Sequence, residues 1–177
     1  MNGNKIPIFD PTVEMNTNEE NPAKRKSVLN KKKCGLLWNS KIGGDKLMHF
    51  ILEELNKKGI TPSEIVELKK EYDTRPAKKE MYEEMAKKCD FVITAVGDWG
   101  SCSSCSVHDG IELEKLGVPT AVICTEPFRN TAEVVAKIRG MENYPIAYIP
   151  HPVGSLNEDK LRERAIEITP KIIAILT

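Results

Sequence analysis

From Cys34 onward the chain alternates short apolar runs with stretches of helical period, and this alternation limits the fold more than any other feature. "CGLLW" reads as a strand, followed by the turn "NSKIGGD" and a helix on which Leu47, Ile51 and Leu55 recur at a four-residue period. "EIVELKK" is a weaker strand, succeeded by the "YDTRP" loop and a helix carrying Met81, Tyr82 and Met85. "FVITAV" is the strongest strand. After it come a helix through "IELEKLG", the strand "PTAVIC" and a helix containing Val134, Val135 and Ile138. "YPIAYIP" is the last strand, and the closing helix aligns Leu161, Ala165, Ile168, Ile172 and Leu176, with Pro170 a point for a kink. Five strands alternating with five helices predict an α/β domain over residues 34–177. Because crossovers between parallel strands are right-handed, the expectation is a single doubly wound, mainly parallel five-stranded sheet, Rossmann-like or flavodoxin-like, with helices on both faces.

Residues 1–33 are polar and show little periodicity, so they read as an N-terminal arm, with "KIPIFDP" docking as an extended edge. The cationic stretch from Lys24 to Lys33 reads as a solvated face. Such an arm suits wrapping a neighbouring subunit, which favours a homodimer.

Lysine plus arginine balance aspartate plus glutamate at 26 each, so no global charge draws the protein to nucleic acid or to an anionic membrane. No apolar run approaches the roughly 18 to 20 residues of a membrane span, and the first residues lack the apolar core of a signal peptide. The five cysteines are odd in number and irregularly spaced, unlike a secreted disulfide framework. Reduced thiols and a cytoplasmic location are expected. There is no G-x-G-x-x-G, no G-x-x-x-x-G-K-[ST] and no G-x-S-x-G, so nucleotide binding and a serine-hydrolase elbow have little support.

In open sheets of this kind ligands bind beyond the carboxyl ends of the strands. That rule gathers Asn39 to Asp45, Asp73 to Arg75, Asp98 to His108, Cys124 to Arg129 and His151 to Gly154. The most unusual of these segments is "GDWGSCSSCSVHDG", residues 97–110, which reads as a turn of small residues between a strand and a helix. Amide N–H groups at such a junction favour anions, thiolates among them. Cys102 and Cys105 form C-x-x-C, a spacing that serves a disulfide, one metal ion, or merely two small residues filling a turn. Zinc held by Cys102, Cys105, Cys124 and either His108 or His151 is an alternative, although structural zinc sites usually present two close pairs. Cys34 and Cys89 are expected to be structural. His108, beside Asp109, suits an acid or base that tunes a nearby sulfur, or simply bonds the helix start. His151 between two prolines is expected to handle substrate or a proton. Asn39, Lys41 and Arg75 are candidate substrate contacts, the two cations as partners of a carboxylate.

The stretch "VGDWGSCSSCSVHDGIELEKLGVPTAVICTEPF", with "YPIAYIPHPVG", "IPIFDPT" and "LLWNSKIGGD", resembles the UGSC family of selenoproteins and their cysteine homologues. More distantly it is similar to the selenoprotein subunit of glycine, sarcosine, betaine and D-proline reductases. In those reductases selenocysteine attacks an activated carbon and cleaves a carbon–nitrogen bond, and a neighbouring cysteine closes a selenenyl sulfide. The resemblance places the family's selenocysteine on Trp99, its adjacent cysteine on Cys102 and the second cysteine of the reductase-like pattern on Cys105. An indole is no such nucleophile. Three readings follow: Trp99 stands in for selenocysteine, whose UGA codon differs by one base from UGG; redox duty has moved to Cys102 and Cys105; or the chain is a catalytically silent relative. On the first reading residue 99 attacks, Cys102 resolves, Asp98 and His108 shape local charge, and Thr125, Glu126 and His151 line the opposite wall. The resemblance thus implies a selenol- or thiol-dependent reductase of a small, carboxylate-bearing molecule, with a thioredoxin-like electron donor and a partner reductase subunit, and with no further cofactor.

Overall fold

The computed structural model describes residues 19–177 of the chain; "KIPIFDP" lies outside them. Five strands, β1 (Lys33–Trp38), β2 (Glu64–Lys69), β3 (Phe91–Gly97), β4 (Thr120–Thr125) and β5 (Ile146–Ile149), form one sheet in the order β2-β1-β3-β4-β5, and every pair is parallel. The helices are α1 (Gly44–Lys57), α2 (Lys79–Lys88), α3 (Gly100–Lys115), α4 (Arg129–Ile138) and α5 (Glu158–Leu176). Leu47, Ile51 and Leu55 of α1 pack with Leu161, Ile168 and Ile172 of α5 on one face of the sheet. Tyr82 and Met85 of α2, Val107, Ile111 and Leu113 of α3, and Ala132 and Ala136 of α4 cover the other. Strand β3 is central and buried along its whole length, which explains its unbroken apolar run, whereas the edge strand β2 is largely exposed.

Two helices differ from expectation for one reason, small residues at their interfaces. Helix α3 begins at Gly100, so Cys102, Cys105, His108 and Asp109 belong to a helix and the turn shrinks to Asp98 and Trp99. Cys102, Ser103, Ser106 and Gly110 are its buried small residues, and a Cβ added at Gly110 would stand 2.3 Å from Val122 Cγ2. The helix lies so close to the sheet that bulky apolar residues, the usual periodic signal, have no room there. Helix α4 likewise buries Ala132 and Ala136, while Val134 and Ile138 are exposed.

The described part of the arm lies on its own domain, at the end of the sheet opposite the carboxyl ends of the strands. Buried Glu114 accepts hydrogen bonds from Ala23 N–H (2.7 Å), the Arg25 guanidinium (2.7 Å) and Thr120 N–H (2.9 Å). Glu20 N–H donates to the Gly140 carbonyl and Lys26 N–H to that of Leu176.

Candidate active site at the β1–β3 switch point

Chain direction across the sheet reverses between β1 and β3, and their carboxyl ends open a crevice at this point. Just before it, β3 carries an irregularity: Thr94 pairs with Val122 and Gly97 with Cys124, so β3 spends one residue more than β4. On the β1 side of the same stretch, the Asn39 side chain pairs with the backbone groups of Val96. Its Oδ1 accepts from Val96 N–H (3.0 Å) and Lys41 N–H (3.1 Å), and its Nδ2 donates to the Val96 carbonyl (2.8 Å) and Ser106 Oγ (3.2 Å). Asn39, expected to hold substrate, therefore spends its whole amide on the frame.

The next residue pair, Asp98 and Trp99, forms the centre of the site. Asp98 is buried, and its carboxylate accepts from Val153 N–H (3.0 Å) and Gly154 N–H (3.0 Å), pinning the "PHPVG" loop. The same carboxylate lies 3.1 Å from His151 Nδ1. Thr125 Oγ1 stands 3.2 Å from that nitrogen and donates to the Gly97 carbonyl at 3.3 Å. Trp99 is 58% exposed, with the His151 ring edge-on to it at 6.2 Å between centroids and Phe128 at 6.4 Å. Lys41 Nζ lies 5.7 Å from the indole centre and 4.0 Å from Asp73. A cleft of 180 Å³ is lined by Lys41, Ile42, Asp98, Trp99, His151 and Gly154 among others.

Cys102 is 1% exposed, and its sulfur turns back toward the start of the helix. It accepts from Trp99 N–H (3.0 Å) and Asp98 N–H (3.3 Å) and approaches the Trp99 carbonyl at 3.2 Å. The amides that receive the sulfur thus precede the helix instead of belonging to its first turn.

The remaining candidates lie elsewhere. Cys105 is half-buried one turn further along, where burial pushes its thiol up, with Lys70 acting against that. His108 is eight residues into α3, about 12 Å along the axis. Its distance along the helix keeps it from the helix start and from the Cys102 sulfur, and burial and then the Arg139 charge hold its imidazole below the ordinary range. Asp109 is buried against Lys70 and Tyr82. Arg75 stacks on Tyr72 at 4.9 Å and lines a different hollow, with Lys78 and Met81. Glu126 pairs with Arg129 at 2.8 Å. Cys124 is fully buried, its thiol pushed up to about 12. Among the described residues no three histidine, cysteine, aspartate or glutamate side chains converge as a metal site, so the proposed zinc set does not assemble there. Nor is any helix among them long and apolar enough to cross a membrane.

Sequence reasoning missed Phe128, which stands 5.7 Å from the His151 ring, and the backbone N–H groups of Val153 and Gly154. The quoted "PHPVG" was the available signal for the latter. Larger hollows of 440 and 490 Å³ lie at the far end of the sheet beside Lys137, Glu142 and Tyr144. Neither is lined by a cysteine or histidine, and the chemistry points to the smaller cleft.

An all-parallel sheet of order 2-1-3-4-5 with a cleft at its switch point defines a flavodoxin-like α/β protein. The sequence profile of the UGSC family matches residues 7–177, and the chain belongs to that family. A comparison with curated proteins gave no match. Among solved structures, a diflavin flavoprotein A3 from Nostoc sp. aligns over 82% of this chain and 96% of its own, at 14% identity and a TM-score of 0.40, a likeness too slight to carry an argument.

Proposed function

We propose that this protein is the scaffold of a two-electron reductase whose nucleophile belongs at position 99, with Trp99 standing where the family carries selenocysteine and Cys102 as the resolving thiol. The observation that carries the reading is the seat of Cys102: its sulfur is 3.0 Å from the amide nitrogen of residue 99. Residue 99 begins the helix in extended conformation, and the sulfur lies three positions on, the spacing at which dithiol redox motifs pair an exposed attacker with a buried resolver. A chalcogenolate at 99 attacks an electrophilic substrate atom and displaces its leaving group. Cys102 then attacks the chalcogen, the substrate fragment departs with the electron pair and takes a proton, and the 99–102 pair is left oxidised. A dithiol donor of thioredoxin type restores the pair and is itself oxidised to a disulfide.

Small substrates are favoured because 180 Å³ is below the usual size of drug-binding pockets. Lys41 at the cleft is the cation for a substrate carboxylate, a role for which Arg75 stands too far aside. A partner subunit that activates the substrate and a cytoplasmic setting are extended from the reductases the sequence resembles. A second reading, a binding protein without turnover, is favoured by Trp99 itself, since the indole with Phe128 and His151 forms an aromatic wall suited to a ligand.

Peptide mass spectrometry of the protein from its own cells separates the two. A selenium isotope pattern on the peptide spanning residue 99 is expected; tryptophan there removes the stand-in. The pairing is tested with the Trp99→Cys variant and glutathione disulfide. An intramolecular disulfide between residues 99 and 102 is expected, and a stable glutathione adduct at 99 with Cys102 still free would overturn the assignment of Cys102.

A further inference from the structure

We infer that His151, oriented by Asp98, is the proton acceptor for the chalcogen acid at position 99. This rests on the reading of position 99 above; it narrows the substrate or proton handling expected of His151 to proton acceptance, and moves to it the sulfur-tuning role expected of His108.

The tautomer of His151 follows from its partners. Asp98 as a carboxylate only accepts, and it already receives two backbone N–H groups. The Thr125 hydroxyl has one hydrogen, which goes to the Gly97 carbonyl, so its oxygen also faces His151 as an acceptor. Nδ1, at 3.1 Å from Asp98 and 3.2 Å from Thr125, is left as the donor to both. In the neutral ring the lone pair then resides on Nε2, at the side of the imidazole turned from Asp98. The His151 ring, with 30% of its side chain accessible to solvent, stands edge-on to the side chain of residue 99 at 6.2 Å between centroids. A carboxylate behind one ring nitrogen leaves the other free to take a proton from a neighbouring nucleophile, and it stabilises the cation that forms.

The balance is simple. The proton of the S–H or Se–H group at 99 moves to Nε2, leaving a chalcogenolate beside an imidazolium whose charge faces Asp98. The displaced group leaves as its anion; when Cys102 attacks, its own thiol proton passes to solvent and the proton held on His151 is given to the substrate fragment, so no external acid is required. The other charged or titratable groups around the ring are few. Lys41, backed by Asp73, lies across the cleft and favours the anion at 99. Cys102 lies beneath residue 99, and beyond Phe128 the Glu126–Arg129 pair closes on itself. Asp98 is a positioning residue; His151 is the group that meets the reacting atom.

The test uses Trp99→Cys, with iodoacetamide alkylation of residue 99 followed by mass spectrometry across pH. An inflection well below the ordinary thiol value of about 8.5 is expected. Adding His151→Asn should raise it by at least about one unit, a roughly tenfold loss of alkylation rate near pH 6.5. Adding Asp98→Asn should move the profile in the same direction. A pH profile that His151→Asn leaves in place overturns the inference. The 99–102 disulfide, measured on the same Trp99→Cys protein, reports separately on the underlying reading, so one can fail without the other. The unaltered chain offers an independent check that needs no variant. Nitrogen-15 shifts of His151 should show the proton on Nδ1 in the neutral ring; a neutral ring protonated on Nε2 overturns the inference.

Discussion

Asp109→Ala is expected to destabilise the protein by about 3–5 kcal/mol, the range found when one partner is removed from a buried ion pair. Asp109 is fully buried and Lys70 is 2% exposed, so the ammonium left behind cannot find water without opening the fold. The carboxylate has two further donors, Tyr82 Oη at 2.7 Å and Ala77 N–H at 2.8 Å, which would lose their acceptor at the same time. Four segments meet at this side chain: the end of β2 through Lys70, the loop before α2 through Ala77, α2 through Tyr82, and α3 itself. Urea denaturation followed by circular dichroism measures the loss. The control is the double variant Asp109→Leu with Lys70→Met, which replaces the ions by apolar groups and should recover most of the stability. A single-variant loss below about 1 kcal/mol would mean that water already reaches Lys70 and that the pair is not the fastener described here.

The second large effect is expected at Gly97. A Cβ there would lie 2.7 Å from Cys124 Sγ, from Ser103 Oγ and from Ser103 Cα. A side chain can turn aside, but Ser103 Cα is backbone in the first turn of α3, so Gly97→Ala must push the start of the helix off the sheet. Overpacking of this kind costs about 1–3 kcal/mol. The functional consequence is larger in proportion, because Trp99 and Cys102 ride on the displaced turn. In a Trp99→Cys background, Gly97→Ala should slow formation of the 99–102 disulfide as well as lower the urea midpoint. Gly100→Ala is the matched control. It meets nothing within 4 Å and removes a helical glycine, so it should be neutral or stabilise by up to about 1 kcal/mol. Equal effects of the two substitutions would show that crowding against Ser103 is not what Gly97 relieves.

The strands were legible because parallel strands covered on both faces are written as apolar runs, "FVITAV" above all. The topological rule gathered the loops at the carboxyl end of the sheet, and Asp98, Trp99 and His151 do meet there. What misled was the composition of α3. Serine and cysteine are indifferent helix formers, and "SCSSCS" shows no apolar period, so it read as a turn. The physical selection on that face is for smallness: Ser103 lies against Gly97, and Gly110 against Val122. Once these residues are helical, His108 is carried away from the cleft, and its nearness in sequence to the cysteines loses its meaning. Residues that act through distant partners were the least readable. Asn39 serves a peptide 57 positions away, and Asp109 serves a lysine 39 positions away. Nothing local announces either pairing. The same exchange of bulk for closeness marks α4, where Ala132 and Ala136 face the sheet while Val134 and Ile138 are exposed.

Asp98 and residue 99 are joined by a single peptide bond. The carboxylate that grips His151 and the side chain that meets it therefore cannot drift apart independently. A guest that levers the indole outward also pulls on the amides of Val153 and Gly154 through Asp98, so occupancy of the cleft would be felt in the loop that leads into the last helix.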